Sequence, residues 1–249
     1  MSGHSKWASI KHKKGALDAK RGALFTKLIK EITVAAKNGG GSIDTNARLR
    51  TAIQKAKESN MPADNIDRAV KKGTGELPGV VYEEVTYEGY GTSGVAILIE
   101  ALTDNKNRTA SEIRNILEKK GGSMSGAGSV AWQFHKKGFI VVNKESVDED
   151  KLMTIALDSG AQDFNSDKDS FEITTDPQDF EKVKKAITDA GIVTANAEVT
   201  RLPSATVKVA GLNEAKNVMT LIETLEDNED VQNVYSNLDL PDEVLQQLG

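Results

Sequence analysis

Residues 16–37 read ALDAKRGALFTKLIKEITVAAK, and this stretch determines how the first part of the chain folds. On a helix of about 3.6 residues per turn, its apolar side chains fall on one side and its lysines on the other. The apolar positions are Leu17, Leu24, Phe25, Leu28, Ile29, Ile32, Ala35 and Ala36, and the cationic ones are Lys20, Lys27, Lys30 and Lys37. The spacing predicts an amphipathic helix that packs through one face and exposes cations on the other.

The segments that follow predict two more helices. The run GGGS at 39–42 ends the first helix, and residues 46–59 return to a helical spacing of apolar residues. A third helix is expected from near Pro62 to near Gly73, because proline is favoured at the first helical position and glycine just past the last. The cations around the second helix are Arg48, Arg50, Lys55 and Lys57. We therefore predict a small helical domain over residues 1–76.

From residue 77 onward, segments with the alternation of strands appear among the helices. The predicted elements are strands over 81–87, 95–102 and 130–135 and a helix over 110–120, which begins with a capping box of Thr109 and Glu112. Residues 139–202 then follow the order strand, helix, strand, strand, helix, strand, which is typical of a ferredoxin-like unit. A last strand, helix and strand are predicted at 206–210, 214–226 and 231–235.

This order of elements predicts an α+β multidomain protein. An N-terminal small helical domain is followed by two α+β domains, of which the second, residues 137–202, is ferredoxin-like. We expect this second domain to be inserted into the first, because the strands and helix after it complete the interrupted set before it. The first α+β domain is then discontinuous and combines residues 77–136 with residues 203–249.

Charge is distributed unevenly along the chain. The 249 residues carry 32 Lys and Arg against 37 Asp and Glu, a net charge of −5, yet residues 1–72 hold 16 of those cations and 6 of those acids. A basic head on an acidic body is typical of a protein that binds a polyanion, because phosphate attracts the head and repels the body. The alternative is that the two parts neutralise each other within the molecule.

The composition excludes several classes of chemistry. The chain has no cysteine and three histidines, which excludes disulfides, thiolate zinc sites and cysteine nucleophiles. The acidic run from Asp163 to Asp169 has the spacing of a calcium loop, but Lys168 stands where such a loop needs glycine. We therefore expect a non-enzyme with no cofactor and no metal. The longest apolar run is Val95–Ile99, so no signal peptide or membrane span is expected.

The basic head supplies the candidate nucleic-acid-binding residues. Lysine and arginine neutralise phosphates and release counterions, and a tryptophan offers a face on which a base can stack. The candidate set is Lys6, Trp7, Lys11, His12, Lys13, Lys14, Lys20, Arg21, Lys27, Lys30, Arg48, Arg50, Lys55 and Lys57. The alternative for its first members is a solvated basic tail with Trp7 packed in the helical core.

A second candidate contact surface surrounds the helix predicted at 110–120. Its cations are Lys106, Arg108, Arg114, Lys119 and Lys120, and the Gly-rich run 121–128 follows. Such a loop beside positive charge can hold a phosphate. The alternative is a flexible connection between a helix and a strand.

Several long motifs carry a resemblance to a known family. They are GHSKWASIKHKK at 3–14, NARLR at 46–50, NMP at 60–62, KKGTGE at 71–76, YEGYG at 87–91 and LTDNKNRT at 102–109. These segments closely resemble the YebC family, which includes bacterial probable transcriptional regulators and the mitochondrial translational activator of cytochrome oxidase. The resemblance implies a three-domain, cytoplasmic, non-enzymatic protein that binds nucleic acid. Ala23 departs from the lysine common in the family, so the first helix has one cation fewer.

We therefore expect a nucleic-acid-binding regulator of gene expression, a probable transcriptional regulatory protein that binds DNA through its basic N-terminal domain. The first alternative is a ribosome-associated translation factor or translational activator that binds RNA. The second is a protein-interaction module that binds no nucleic acid. The sequence leaves the oligomeric state open and favours a monomer slightly.

Overall fold

The computed structural model describes residues 18–248, and the side chains of residues 18–21 and 242 are not among those described. The helices are α1 (Asp18–Gly39), α2 (Ala47–Glu58), α3 (Ala63–Thr74), α4 (Lys106–Lys119), α5 (Glu149–Ser159), α6 (Phe180–Asp189), α7 (Leu212–Glu226) and α8 (Asp242–Leu248). The strands are β1 (Glu83–Tyr90), β2 (Ala96–Thr103), β3 (Ser123–Ser125), β4 (Phe134–Asn143), β5 (Ala161–Ser166), β6 (Ser170–Thr175), β7 (Asn196–Pro203), β8 (Val207–Lys208), β9 (Val231–Ser236) and β10 (Leu238–Asp239). Mixed helix and sheet after a helical N-terminal region confirms the predicted fold class.

The helices α1, α2 and α3 pack around one apolar core. Ile32 of α1, Leu49 of α2 and Ala69 of α3 are fully or almost fully buried in it. The helix α3 extends past the expected end, because Gly75 is the residue that adopts the left-handed conformation (φ 83°) and closes the helix. Gly73 lies inside α3, where an added Cβ would come 2.3 Å from the carbonyl oxygen of Thr33. It therefore permits a close approach of α3 to α1.

The first sheet has the strand order β3-β1-β2-β9. The strands β1 and β2 form an antiparallel hairpin in which Glu83 is opposite Thr103 and Tyr90 is opposite Ala96. The fourth strand, β9, comes from a part of the chain that follows the ferredoxin-like unit. One face of α4 is buried, with Ile113 and Leu117 at zero exposure.

Two local predictions in this region are wrong. The helix α4 begins at Lys106 and is capped by Asn105, whose side chain accepts a hydrogen bond from the Arg108 amide. Thr109 is therefore inside the helix and forms no capping box. The strand expected at 130–135 begins only at Phe134, because residues 131–133 form a 3-10 turn, in which successive side chains rotate by about a third of a turn. Trp132 consequently faces solvent, with 69% of its surface exposed.

The second sheet has the strand order β5-β6-β4-β7, with every neighbouring pair antiparallel. Its chain order, β4-α5-β5-β6-α6-β7, is that of a ferredoxin-like unit. The apolar core between this sheet and its helices includes Ile140, Leu152, Ile173 and Val183. The cap of α5 is Asp148, whose carboxylate accepts a hydrogen bond from the Lys151 amide.

The chain forms two compact units. One unit is Ala16–Ser129 with Lys216–Val234, and the other contains Val130–Ala215 and Tyr235–Gly249. The division into three domains at the residue boundaries given above stays a prediction. None of the helices within residues 18–248 is long and apolar enough to cross a membrane.

Candidate nucleic-acid interface

The helix α2 exposes three cations on its outer surface. Because Leu49, Ala52 and Ala56 are buried on one face, helical spacing places Arg50 and Lys57 along one edge of α2. The two residues are seven positions apart, or about 10 Å along the axis. Lys55 lies toward the opposite edge. The side chains that α2 offers to a partner are therefore Arg50, Lys55 and Lys57, all of them exposed.

The buried side chain of Asn46 fixes the start of α2. Its Oδ1 accepts a hydrogen bond from the Leu49 amide at 3.0 Å, which caps the helix. Its Nδ2 donates to the carbonyl oxygens of Ala35 and Gly40, each at 2.8 Å. One side chain thus joins the end of α1, the Gly-rich loop and the first turn of α2, which sets the position of the cations on α2.

Arg48 has a different environment from the other cations of α2. Its guanidinium binds Glu31 in a bidentate pair, with Nε 2.7 Å from Oε1 and Nη2 3.0 Å from Oε2. Nη1 donates to Glu84 Oε1 at 2.5 Å. The hydrogen bond to Glu31 is the largest cause that raises the pKa of Arg48, and the bond to Glu84 adds to it. A phosphate that reaches Arg48 must compete with two carboxylates.

Two candidate phosphate-binding residues of α1, Lys27 and Lys30, face the protein, whereas Lys37 near its end is exposed. Lys27 donates from Nζ to the carbonyl oxygen of Glu226. Lys30 is 7% exposed and donates to the carbonyl oxygen of Glu229 at 3.0 Å and to Asp230 Oδ1 at 2.5 Å. Burial removes Lys30 from the surface that a phosphate could reach.

Asp230 is the centre of a buried hydrogen-bond network. Its Oδ2 accepts from Thr109 at 2.6 Å, from Arg108 at 2.7 Å and from Thr103 at 3.2 Å. Burial alone raises the pKa of Asp230, but hydrogen bonds from Lys30, Thr109 and Arg108 outweigh it and lower the pKa from 3.8 to about 2. Sequence reasoning missed this cluster because Asp230 follows Thr109 by more than a hundred positions, and no local spacing relates them.

Two of the five cations in the second candidate contact surface are paired with acidic side chains in the structure. Lys106 pairs with Glu83 at 2.5 Å, and Arg108 is bound by Asp104 and Asp230. The remaining cations are Arg114 and Lys119, which are exposed, and Lys120, which is half-buried.

The Gly-rich run after α4 is partly ordered as a strand. Its residues 123–125 form β3 on the edge of β1. The Gly128 amide donates to Glu88 Oε1 at 2.6 Å, and the Tyr90 hydroxyl donates to the Ser129 carbonyl oxygen at 3.3 Å. The run is therefore fastened to β1 at two places, and Ser129, the residue after it, is held at a third.

The rest of the candidate set lies outside the described residues. These candidates are Lys6, Trp7, Lys11, His12, Lys13 and Lys14. The side chains of Lys20 and Arg21 are also outside the description, although their backbone belongs to α1. Within residues 18–248, no group of three or more His, Asp and Glu side chains is placed to hold a metal ion.

Two family models match the chain. The model described as "TACO1/YebC protein N-terminal domain" matches residues 5–76, and the one described as "TACO1/YebC second and third domain" matches residues 82–238. Two curated relatives carry the name "Probable transcriptional regulatory protein". The one from Desulfatibacillum aliphaticivorans is 60% identical over 245 residues, which covers 98% of this chain and 99% of that protein. The one from Natranaerobius thermophilus is 57% identical over 249 residues and covers 99% of each.

A solved structure has the same fold. The crystal structure of a conserved hypothetical protein from Aquifex aeolicus superposes with a TM-score of 0.81 at 44% sequence identity. The match covers 95% of this chain and 98% of that chain.

Proposed function

Because the chain belongs to the TACO1/YebC family, we propose that it is a non-enzymatic regulator of gene expression that binds duplex DNA through its N-terminal helical domain. Curated relatives named probable transcriptional regulatory proteins support a regulatory role. The observation that supports nucleic-acid binding is the exposed set Arg50, Lys55 and Lys57 on α2, none of which forms an ion pair with a described residue.

The geometry favours α2 over α3 as the element that meets the phosphates. The first turn of α3 carries Asp64 and the next turn Asp67, and both side chains are exposed. The helix α3 carries three cations against these two carboxylates, a net charge of +1, whereas α2 carries four cations against one carboxylate, a net charge of +3. The helix α2 therefore attracts a phosphate backbone more strongly. The proposal extends the contact set to Lys6, Trp7, Lys11, His12, Lys13, Lys14, Lys20 and Arg21.

The proposed contacts are to the backbone of the nucleic acid. Contacts to phosphates fix register and orientation but carry no sequence information. Direct readout requires a helix whose polar side chains reach base edges in the major groove. The one exposed amide on α2, Gln54, already donates to Glu58 at 3.0 Å. We therefore propose that shape and backbone are read before sequence, in the cytoplasm, where DNA and ribosomes are both accessible.

RNA is the alternative target. The family models join TACO1 with YebC, and the resemblance noted above includes a translational activator. A protein that reads backbone and shape can bind structured RNA as a ribosome-associated translation factor.

Binding of fluorescent 20-base-pair DNA and of an RNA hairpin to the full-length protein tests the proposal. We expect the triple variant Arg50→Gln/Lys55→Gln/Lys57→Gln to weaken binding by about tenfold or more at low salt. The matched control, Lys151→Gln/Lys182→Gln/Lys208→Gln, removes three exposed cations of the other compact unit and should change binding little. A wild-type protein that binds neither probe, or equal losses in both variants, contradicts the proposal.

Crosslinking in cells separates the two targets. Sequencing of the attached DNA and the attached RNA should show promoter DNA for the transcriptional function. Ribosomal RNA as the dominant product favours the translational alternative. Protein crosslinks without nucleic acid favour the interaction module.

A further inference from the structure

A short acidic segment binds two lysines of α1, Lys27 and Lys30. The acidic turn, residues 226–230, reads EDNED and joins α7 to β9. It belongs to the same compact unit as α1. Lys27 donates to the carbonyl oxygen of Glu226, and Lys30 donates to the Glu229 carbonyl oxygen at 3.0 Å and to Asp230 Oδ1 at 2.5 Å. Oxygen atoms of the turn therefore accept hydrogen bonds from lysine Nζ atoms, as phosphate oxygens could.

The turn is also held from its other side. The Asn228 side chain accepts from the Asp230 amide at 2.9 Å and donates to Glu112 Oε2 at 2.9 Å. Arg108 and Thr109 bind the second oxygen of Asp230. A cleft of about 560 Å³ opens beside these contacts, and Lys30, Arg108 and the turn line it. Five acidic residues, Asp104, Glu112, Asp227, Glu229 and Asp230, line this cleft, so an external polyanion reaches the cations Lys30 and Arg108 only when the turn is displaced.

Two acids of the turn have no evident structural task. Asp227 and Glu229 are exposed, and their carboxylates form no ion pair with a described residue. The described contacts of the turn with α1 run through the Asp230 carboxylate and the backbone carbonyl oxygens of Glu226 and Glu229. The two extra carboxylates raise the negative potential next to the basic head, and this potential opposes the approach of phosphate.

We propose that the acidic turn is an autoinhibitory contact, an internal mimic of a phosphate backbone that competes with nucleic acid for Lys27, Lys30 and Arg108. The inference rests on the proposed nucleic-acid-binding function. In the closed state described here the turn occupies these cations, and bound nucleic acid shifts the population toward a state in which the turn has been released. Apparent affinity is then lower than the affinity of the open state, by the fraction of molecules that are open.

Removal of the two exposed charges tests the competition. In the full-length protein, Asp227→Asn/Glu229→Gln should tighten binding of the 20-base-pair DNA by about threefold or more at low salt. The matched control, Asp158→Asn/Glu181→Gln, removes two exposed acids from α5 and α6 of the other compact unit. An unchanged affinity in the turn variant, or an equal change in the control, overturns the inference.

Hydrogen exchange gives a second readout on the wild-type protein. The Asp230 amide is protected by its bond to Asn228 Oδ1. We expect this amide to exchange faster when the protein is saturated with DNA, because the turn is displaced. Unchanged protection at saturation overturns the inference.

The two proposals fail in different ways. If the wild type binds DNA, the α2 triple variant loses binding and the turn variant is unchanged, only the autoinhibitory turn is wrong. If neither the wild type nor the turn variant binds DNA or RNA, both proposals are wrong.

Discussion

Lys30 and Asp230 form a buried ion pair across 200 positions of sequence, with Nζ of the lysine 2.5 Å from Oδ1 of the aspartate. The aspartate is 4% exposed, and its other oxygen is bound by Arg108, Thr103 and Thr109. One carboxylate therefore fastens the first helix to the strand β2 and the helix α4. This arrangement determines how the stability of the fold responds to pH.

The first prediction concerns the stability of the protein at acidic pH. The pKa of Asp230 is lowered from 3.8 to about 2 in the folded protein, so the unfolded chain binds the proton first as pH falls. The contribution of this group to stability is therefore complete above about pH 4 and is lost as pH falls toward 2. We expect about 1 to 2 kcal/mol of unfolding free energy to depend on it, after allowance for solvent screening. Urea titrations should show that the stability advantage of wild type over Asp230→Asn shrinks across this range. A constant difference contradicts the prediction.

The second prediction concerns the cap of α2. Asn46→Ala removes the cap and leaves the carbonyl oxygens of Ala35 and Gly40 without their donor, so it should cost about 2 to 3 kcal/mol. The control is Asn105→Ala, which removes an exposed cap whose side chain accepts one hydrogen bond, from the Arg108 amide. It should lower the unfolding free energy by about 1 kcal/mol. Chemical denaturation measures both. Equal costs would show that the two donor bonds of Asn46 add nothing.

The third prediction concerns helix packing. In Gly73→Ala the new Cβ would lie 2.3 Å from the Thr33 carbonyl oxygen and 2.7 Å from Ala36 Cβ, so α1 and α3 must move apart. We expect a loss of about 2 kcal/mol. Gly22→Ala, the control within α1, meets nothing within 4 Å and should stabilise the protein by about 1 kcal/mol through helix propensity. Thermal unfolding should shift in opposite directions for the two variants.

The fourth prediction concerns salt. If about five phosphates are neutralised, the logarithm of the DNA-binding constant should fall against the logarithm of salt concentration with a slope of about −4.5 for a duplex. The slope should be about −3.5 for a single strand. The triple variant of Arg50, Lys55 and Lys57 should lose about one unit of slope per removed contact. A slope that the triple variant leaves unchanged places the phosphates elsewhere on the protein.

The fifth prediction separates the two cationic surfaces. Because Lys106 and Arg108 are bound to acids, only Arg114, Lys119 and Lys120 remain to contact a phosphate beside α4. We expect Arg114→Gln/Lys119→Gln/Lys120→Gln to weaken DNA binding less than the triple variant of α2. The same anisotropy titration measures both. A larger loss beside α4 reverses the order of the two surfaces.

Periodicity in the sequence predicts the elements because their faces are set by local spacing. The apolar positions Leu49, Ala52 and Ala56 of α2 are buried as their spacing predicts, and the ferredoxin-like order of 139–202 appears in the second sheet. The local errors have a local cause. Threonine is a favoured N-cap residue, but Asn105, four residues before Thr109, caps α4. The Thr109 hydroxyl donates a hydrogen bond to Asp230 instead.

Whether a cation is exposed to a ligand cannot be predicted from its spacing in the sequence. Lys30 and Lys57 both belong to amphipathic helices and both fall away from the apolar stripe in sequence. The structure buries Lys30 against Asp230 and leaves Lys57 exposed. The difference depends on a segment 200 residues downstream, and only the tertiary fold brings that segment to α1.

The position of β9 affects the order in which parts of this chain fold during synthesis. The strands β1, β2 and β3 leave the ribosome long before residues 231–236, which form the fourth strand of their sheet. During that interval one edge of β2 has open backbone groups beside the apolar residues Ile97 and Ile99, and such an edge invites pairing with other chains. The ferredoxin-like unit, by contrast, has all four strands once residue 203 has emerged. The order of folding therefore differs from the order of the sequence: the ferredoxin-like unit can fold first, and the earlier sheet is completed only after residues 231–236 have emerged.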